Sequence, residues 1–424
     1  MIGVMFLVLG VTLIMGIPVA FSVVLSTLAY IILQGTTPGL IIVQKMVSGV
    51  SNFTTLALPL FIFSGALMVF GSTSRLMKFA GMLVGRVKGG LGTTSVVGAM
   101  MFGAISGSGV ATTASIGGVM IPEMIKNGYK PGYSASLLAT SSTLGVLIPP
   151  STTFIIYCQI TGVSVSKMFL SGILPGIVTG LILIAYNTWI GTIRNYGGVY
   201  EKQTFGEVCK IMGSAILPMI MPLIILGGVF SGIFTATEAA AVAVIYAIIL
   251  TLGVYREVDF RKFIQVTSKS AVSTANILLI IAASTPFGWI LTVENIPNKI
   301  ASLIVASNMS LIAVWAIVLT IMIILGTFMA STPIILLTTP ILLPIMVSFG
   351  VDPIQYGIVL TIALGIGAIT PPLAVTLFVG CEIAKIKIEE TFPEVLHLCV
   401  CLLLTAIIMI LFPQISLWLP SIEG

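Results

Sequence analysis

Charge is what this 424-residue sequence has least of: Asp, Glu, Lys and Arg together make up 7% of it. A soluble domain carries about 25% charged residues, so a soluble enzyme is excluded. Histidine is nearly absent. His397 stands alone, which removes His-based metal clusters and Ser-His-Asp triads. The five cysteines (Cys158, Cys209, Cys381, Cys399 and Cys401) have no metal-ligand spacing and read as small apolar filler. No acidic pair or Gly-x-Gly-Asp stretch suggests a membrane enzyme, and no cofactor is expected beyond coupling ions. No Lys or Arg precedes Lys45, so the apolar start lacks the basic region of a cleaved signal and is expected to be retained.

What remains is apolar: 58% hydrophobic residues with a mean hydropathy of +1.20. The charges cluster between long uncharged runs, 34 residues from Lys88 to Glu123, 36 from Lys130 to Lys167 and 52 from Lys299 to Asp352. A helical span needs about 20 apolar residues, so the chain reads as an all-α polytopic protein of the lipid bilayer. The net charge of +5 then reports topology and implies no nucleic acid partner.

Apolar runs and breakers predict spans near 2–16, 18–34, 54–72, 133–160, 168–190, 214–231, 236–254, 270–291, 355–381 and 396–412. Two further segments, 92–125 and 311–349, read as re-entrant hairpins. The leg from Gly92 to Ile105 has 14 residues, about 21 Å at 1.5 Å per residue, against a core of roughly 30 Å. It should turn at Ser106–Gly109. The second leg reaches GTFMASTP (Gly326–Pro333) after about 24 Å by the same rise. With the N-terminus outside, 15 of the 18 Lys and Arg fall on the cytoplasmic side and only Lys45, Lys167 and Lys299 fall outside. Positive-inside bias therefore places both termini on the periplasmic or extracellular face.

A shift of 222 residues aligns the breakers without a gap: Pro122 with Pro344, Gly128 with Gly350, Pro131 with Pro353, Gly145 with Gly367, and Pro149-Pro150 with Pro371-Pro372. Five crossings separate the hairpins, so the copies have opposite orientation. The expected domains are residues 1–212, with hairpin 92–125 and broken helix 133–160, and residues 213–424, with hairpin 311–349 and broken helix 355–381. Inverted repeats with paired interrupted helices point to a secondary transporter whose site lies near the midplane.

The interruptions indicate the chemistry. LGVLIPPST (Leu144–Thr152) and LGIGAITPPLA (Leu364–Ala374) set Gly and a Pro pair inside apolar runs. Proline removes an N–H and frees a carbonyl, tolerated at membrane depth only inside protein or beside a cavity. Each break should face its own hairpin tip, Ser106–Gly109 or Thr327–Thr332. Carbonyls and hydroxyls there suit a small cation. One site is expected from Ser106, Ser108 and Gly145, and another from Gly326, Ser331, Gly367 and Thr370. A carboxylate should lie between the tips, at the hydroxyls of Ser108, Ser151, Thr152 and Ser331 and against Pro149, Pro150, Pro371 and Pro372. No Asp or Glu lies in a tip or break. Glu238, in FTATEAAAVAV (Phe234–Val244), follows Thr235 as in a helix capping box. Sodium is therefore preferred to protons as the coupling ion. Residues 200–212 and 256–269 mix charged and apolar residues and read as interfacial helices.

Several stretches taken in order resemble one family over nearly the whole chain: FSGALM (Phe63–Met68), GAISGSGVATT (Gly103–Thr113), IPEMIKNGY (Ile121–Tyr129), ATSSTLGVLIPPS (Ala139–Ser151), GIFTATEAAAVAV (Gly232–Val244), FGWILT (Phe287–Thr292), ITPPLAVTLFV (Ile369–Val379) and SLWLP (Ser416–Pro420). They are similar to the large membrane subunit of the tripartite ATP-independent periplasmic (TRAP) transporters. The resemblance implies an elevator-type, sodium-driven symporter of small organic acids in the bacterial inner membrane. It also implies a small four-helix membrane subunit and a periplasmic substrate-binding protein as partners. Many members carry an acid in the second tip, where this chain has Ala330. A stand-alone dicarboxylate or oxyanion transporter of similar architecture, and an ion channel, are the competing functions.

Overall fold

A computed structural model describes residues 1–35, 37–197, 204–307 and 309–422. All regular secondary structure among the described residues is helical, and eight helices are long and apolar enough to cross a membrane, nine if the bent pair Pro131–Leu147 and Thr152–Thr161 is one span. The expected spans at 168–190 and 396–412 appear as the helices Val165–Ile193 and Glu394–Leu411. The first two expected spans are shorter, Ile2–Ile14 and Val19–Gln34, stopped by Gly16, Pro18 and the left-handed Gly35. The span expected at 54–72 belongs to a helix reaching Val84, kinked where Gly71 takes φ +78°. Only glycine enters that region without strain.

Residues 200–212 and 256–269 do not form separate interfacial helices among the described residues. Their charged turns instead open two long helices, Phe205–Phe230 and Phe260–Val293, while 200–203 lie outside the described residues. The second helix has 34 residues, about 51 Å at 1.5 Å per residue, so it extends well beyond a roughly 30 Å hydrocarbon core. The capping box at Thr235 forms as expected: Thr235 accepts the Glu238 amide, and the Glu238 carboxylate accepts the Thr235 amide at 2.8 Å.

The two hairpins are the helix pairs Gly90–Ser106 with Gly109–Lys126, and Leu311–Phe328 with Ser331–Ser348. Each leg of the second has 18 residues and is apolar enough to cross, longer than the re-entrant leg expected from the sequence. A broken helix follows each hairpin: Pro131–Ser141 and Leu144–Leu147 before Thr152–Thr161, then Pro353–Ile369 before Val375–Ala384. Both Pro-Pro peptides are cis.

Glycine pairs seat each hairpin on its broken helix. A Cβ on Gly103 would lie 2.8 Å from Gly145 Cα, and one on Gly326 would lie 2.9 Å from Gly367 Cα. Neither backbone can yield as a flexible side chain would. Gly103→Val should therefore lower the thermal midpoint of the detergent-solubilised protein, at an overpacking cost of about 1–3 kcal/mol. Fluorescence-detected size exclusion after heating measures it. An unchanged midpoint would mean that the two backbones have room to separate.

Candidate functional site

Each break is tied to its neighbouring tip through the backbone. In the first half Thr152 donates to the Gly107 carbonyl from its hydroxyl at 3.0 Å and its amide at 3.4 Å. In the second the Leu373 amide donates to the Thr327 carbonyl at 2.8 Å. The tips are thus fixed to chain that has already left helical geometry.

Between the tips lies a central cavity of about 240 Å³. The first half contributes Ser108, Gly109, Ser142, Thr143, Thr152 and Thr153. The second contributes Gly326, Ala330, Ser331, Thr332, Thr361 and Thr376. Among the described residues its lining has no Asp, Glu, Lys or Arg. Hydroxyls and backbone must provide any polar recognition there. The helix beginning at Ser331 has no side-chain cap, since its N-cap position is Ala330. Its first amides therefore remain available as donors at the cavity wall.

Of the predicted residues, Ser108, Thr152, Gly326 and Ser331 meet at this cavity, and the others do not line it. Ser151 caps the helix after the first break: its hydroxyl accepts the Phe154 amide at 3.4 Å and donates to the Val146 carbonyl at 2.5 Å. Pro149, Pro150, Pro371 and Pro372 shape the breaks without lining the cavity. The Thr370 hydroxyl donates to the Ile366 carbonyl at 2.7 Å and lies 3.7 Å from Cys399 Sγ. Gly145 and Gly367 lie in the tight glycine contacts.

Oxygens cluster at the first tip. Ser106 Oγ lies 3.2 Å from Thr112 Oγ1, which donates to the Ser108 carbonyl at 2.8 Å. A Cβ on Gly145 would collide with Thr112 Oγ1 and approach the Ser108 carbonyl, so Ser106, Ser108, Thr112 and Gly145 share one small volume. Thr112 was not among the predicted ligands, although it stands six residues after Ser106, within the tip motif. Thr143, Thr361 and Thr376 were likewise missed. The Thr376 hydroxyl donates across the second break to the Ala368 carbonyl at 2.9 Å.

A second cavity, of about 750 Å³, shares Ser108, Thr152 and Ile277 with the central one and opens toward Lys262 and Lys269. A third, of about 340 Å³, lies between Lys45, Gln159, Ser284 and Trp289.

Long apolar helices around a small hydroxyl-lined cavity define an integral membrane permease. Residues 5–415 match the family described as "Tripartite ATP-independent periplasmic transporter, DctM component". The chain belongs to this family; it is a transporter's large permease subunit and not an enzyme. It is 34% identical to the sialic acid TRAP transporter large permease protein SiaM of Vibrio cholerae, over 96% of this chain and 95% of that one. It is 35% identical to the C4-dicarboxylate TRAP transporter large permease protein DctM of Pseudomonas aeruginosa, over 90% and 89%. It also matches the isethionate TRAP transporter permease protein DctMQ of Oleidesulfovibrio alaskensis at 35% identity over 96% of this chain, but spans only 64% of that longer protein. The solved YdaH transporter of Alcanivorax borkumensis has a similar fold, with a TM-score of 0.59 at 13% identity over 88% of this chain and 87% of that one.

Proposed function

We propose that this permease imports a small organic acid, held in the central cavity between the hairpin tips and driven by a sodium gradient. The observation that carries this reading is a cavity bounded by both tips whose polar groups are hydroxyls and backbone, set among apolar side chains such as Ile277, Met329 and Leu364, with no ionisable group among the described residues. Such a lining holds an anion without a buried countercharge, and sodium at the adjoining oxygen clusters adds positive charge beside it. Sialic acid, C4-dicarboxylates and isethionate, named for the relatives, are all organic acids and form the first panel to test.

The halves 1–212 and 213–424 are read as inverted copies, and contacts between them support this. Gly380 packs against Ala135, and Gly357 packs against Tyr157, which is the same contact shifted by 222 to within one residue. Thr143 and Gly365, separated by that offset, pack directly on each other, as equivalent residues beside a two-fold axis do. The charge distribution supports placing both termini on the periplasmic side of the bacterial inner membrane. A body of tips and breaks moving against the long helices would give alternating access. A four-helix small subunit and a periplasmic binding protein are the proposed partners, with substrate selection made by the latter.

Uptake by the reconstituted complex should require sodium and persist with proton uncouplers once sodium is clamped. Uptake driven by a proton gradient without sodium would overturn the coupling. Ser106→Ala should weaken sodium dependence more than expression. Wild-type sodium dependence in that variant would remove the first tip from the cation site. Full uptake by this chain without a binding protein would favour the stand-alone transporter.

A further inference from the structure

One face of the Phe260–Val293 helix runs past all three cavities. Lys262, Lys269 and Ser273 line the large one; Ile277 is shared with the central one; Ser284, Thr285 and Thr292 line the third. Steps of four and seven residues, with Thr285 beside Ser284, keep these positions on one side of a helix. Lysines stand at both ends of the track, Lys262 and Lys269 at one and Lys45, from the helix Leu40–Val50, at the other. Ile277 and Ile281, one turn apart, form the apolar stretch between the central and third cavities.

The third cavity is built unlike a packing defect. Ser284 is 4% exposed, and its hydroxyl has no partner among the described residues. Gln159 donates from Nε2 to the Gly49 carbonyl at 2.7 Å, leaving a buried Oε1 without a partner among the described residues. Buried polar atoms are rarely left unmatched, and both residues line this space. Among the described residues Lys45 is the only ionisable one lining the cavity; its ammonium lies 5.6 Å from the centroid of the Trp289 ring and forms no ion pair there. An apolar occupant would leave these groups unsatisfied. An anion carrying a hydroxyl would satisfy each: its acid group on Lys45, its hydroxyl hydrogen on Gln159 Oε1, its oxygen on Ser284.

We propose that this cavity is a second binding station for small hydroxylated organic anions, carboxylates or sulfonates, on the Lys45 side of the Ile277–Ile281 barrier. It rests on the transport reading in one respect: as a station on the substrate's path, it would hold the anion before it reaches the tips. The binding itself is independent of transport.

Trp289 provides the readout, because an anion on Lys45 alters the charge beside its ring. The whole chain is placed in phosphatidylcholine nanodiscs, free of anionic lipid, and titrated with isethionate, and separately with malate. A saturable change in tryptophan emission should appear, be absent from Trp289→Phe, weaken at least tenfold in Lys45→Gln, and survive in Lys45→Arg. It should persist in Ser331→Pro, which alters the central cavity instead. Size exclusion checks that each variant is folded. No saturable change with either anion, an equal response in Lys45→Gln, or loss in Ser331→Pro would overturn the station. If the Trp289 response holds while sodium-driven uptake fails, the transport reading falls and the station stands. If uptake holds while the response is missing, the reverse is true.

Discussion

Ala330→Trp is expected to reduce uptake of the organic acid to background while leaving the protein folded. Ala330 sits at the second tip, exposed and lining the central cavity. An indole placed there occupies much of a space of only about 240 Å³ and blocks the approach of Ser331 and Thr332 to any ligand. It should not disturb the core, because the Ala330 backbone is extended, at φ −66° and ψ 158°, and the methyl group it replaces fills no packed site. Uptake, size exclusion and thermal midpoint are measured on the same preparation. Full uptake in a folded variant would place the substrate elsewhere; loss of the folded peak would show that the tip is packed more tightly than its exposure indicates.

Backbone punctuation was the legible part of this molecule. The turn at Ser106–Gly109 and the interruptions at Pro149-Pro150 and Pro371-Pro372 appear where the glycines and prolines place them, because those residues constrain the chain locally. Hydroxyl direction was not legible. Ser151 and Thr370 stand at the breaks as expected, yet Ser151 caps a helix and Thr370 turns onto a carbonyl of its own helix. Free amides and carbonyls at a helix end compete for any nearby hydroxyl, and sequence alone does not reveal which contact wins. The charged beginnings of Phe205–Phe230 and Phe260–Val293 misled for a related reason. Composition marks where a helix leaves the apolar layer, whereas nothing in either stretch breaks the helix there. On the proposed inverted-repeat reading Thr143 could have been found, since the 222-residue offset pairs it with Gly365, and residues near a two-fold axis meet their own equivalents.

Ser331→Pro should raise the KM for the transported acid about 100-fold or more, against about 10–100-fold for Ser331→Ala. Ser331 is the first residue of the helix Ser331–Ser348, whose N-cap Ala330 provides no side-chain acceptor. Two donors are therefore available from one residue, the hydroxyl and the amide. Alanine removes the hydroxyl alone, whereas proline removes both. A hydrogen bond to a charged group contributes roughly 1.5–3 kcal/mol, and each 1.4 kcal/mol is a factor of ten. Proline is well suited to a first helical position because the amide there has no partner within the helix. The residue before it must be extended, as Ala330 already is. Folding and the thermal midpoint should therefore change little, and the difference between the two variants isolates the amide. Equal KM values in Ser331→Pro and Ser331→Ala would mean that this helix end does not touch the anion. Recognition would then rest on the Ser108 hydroxyl and other free donors around the cavity, since the Thr152 and Thr376 hydroxyls already donate to carbonyls.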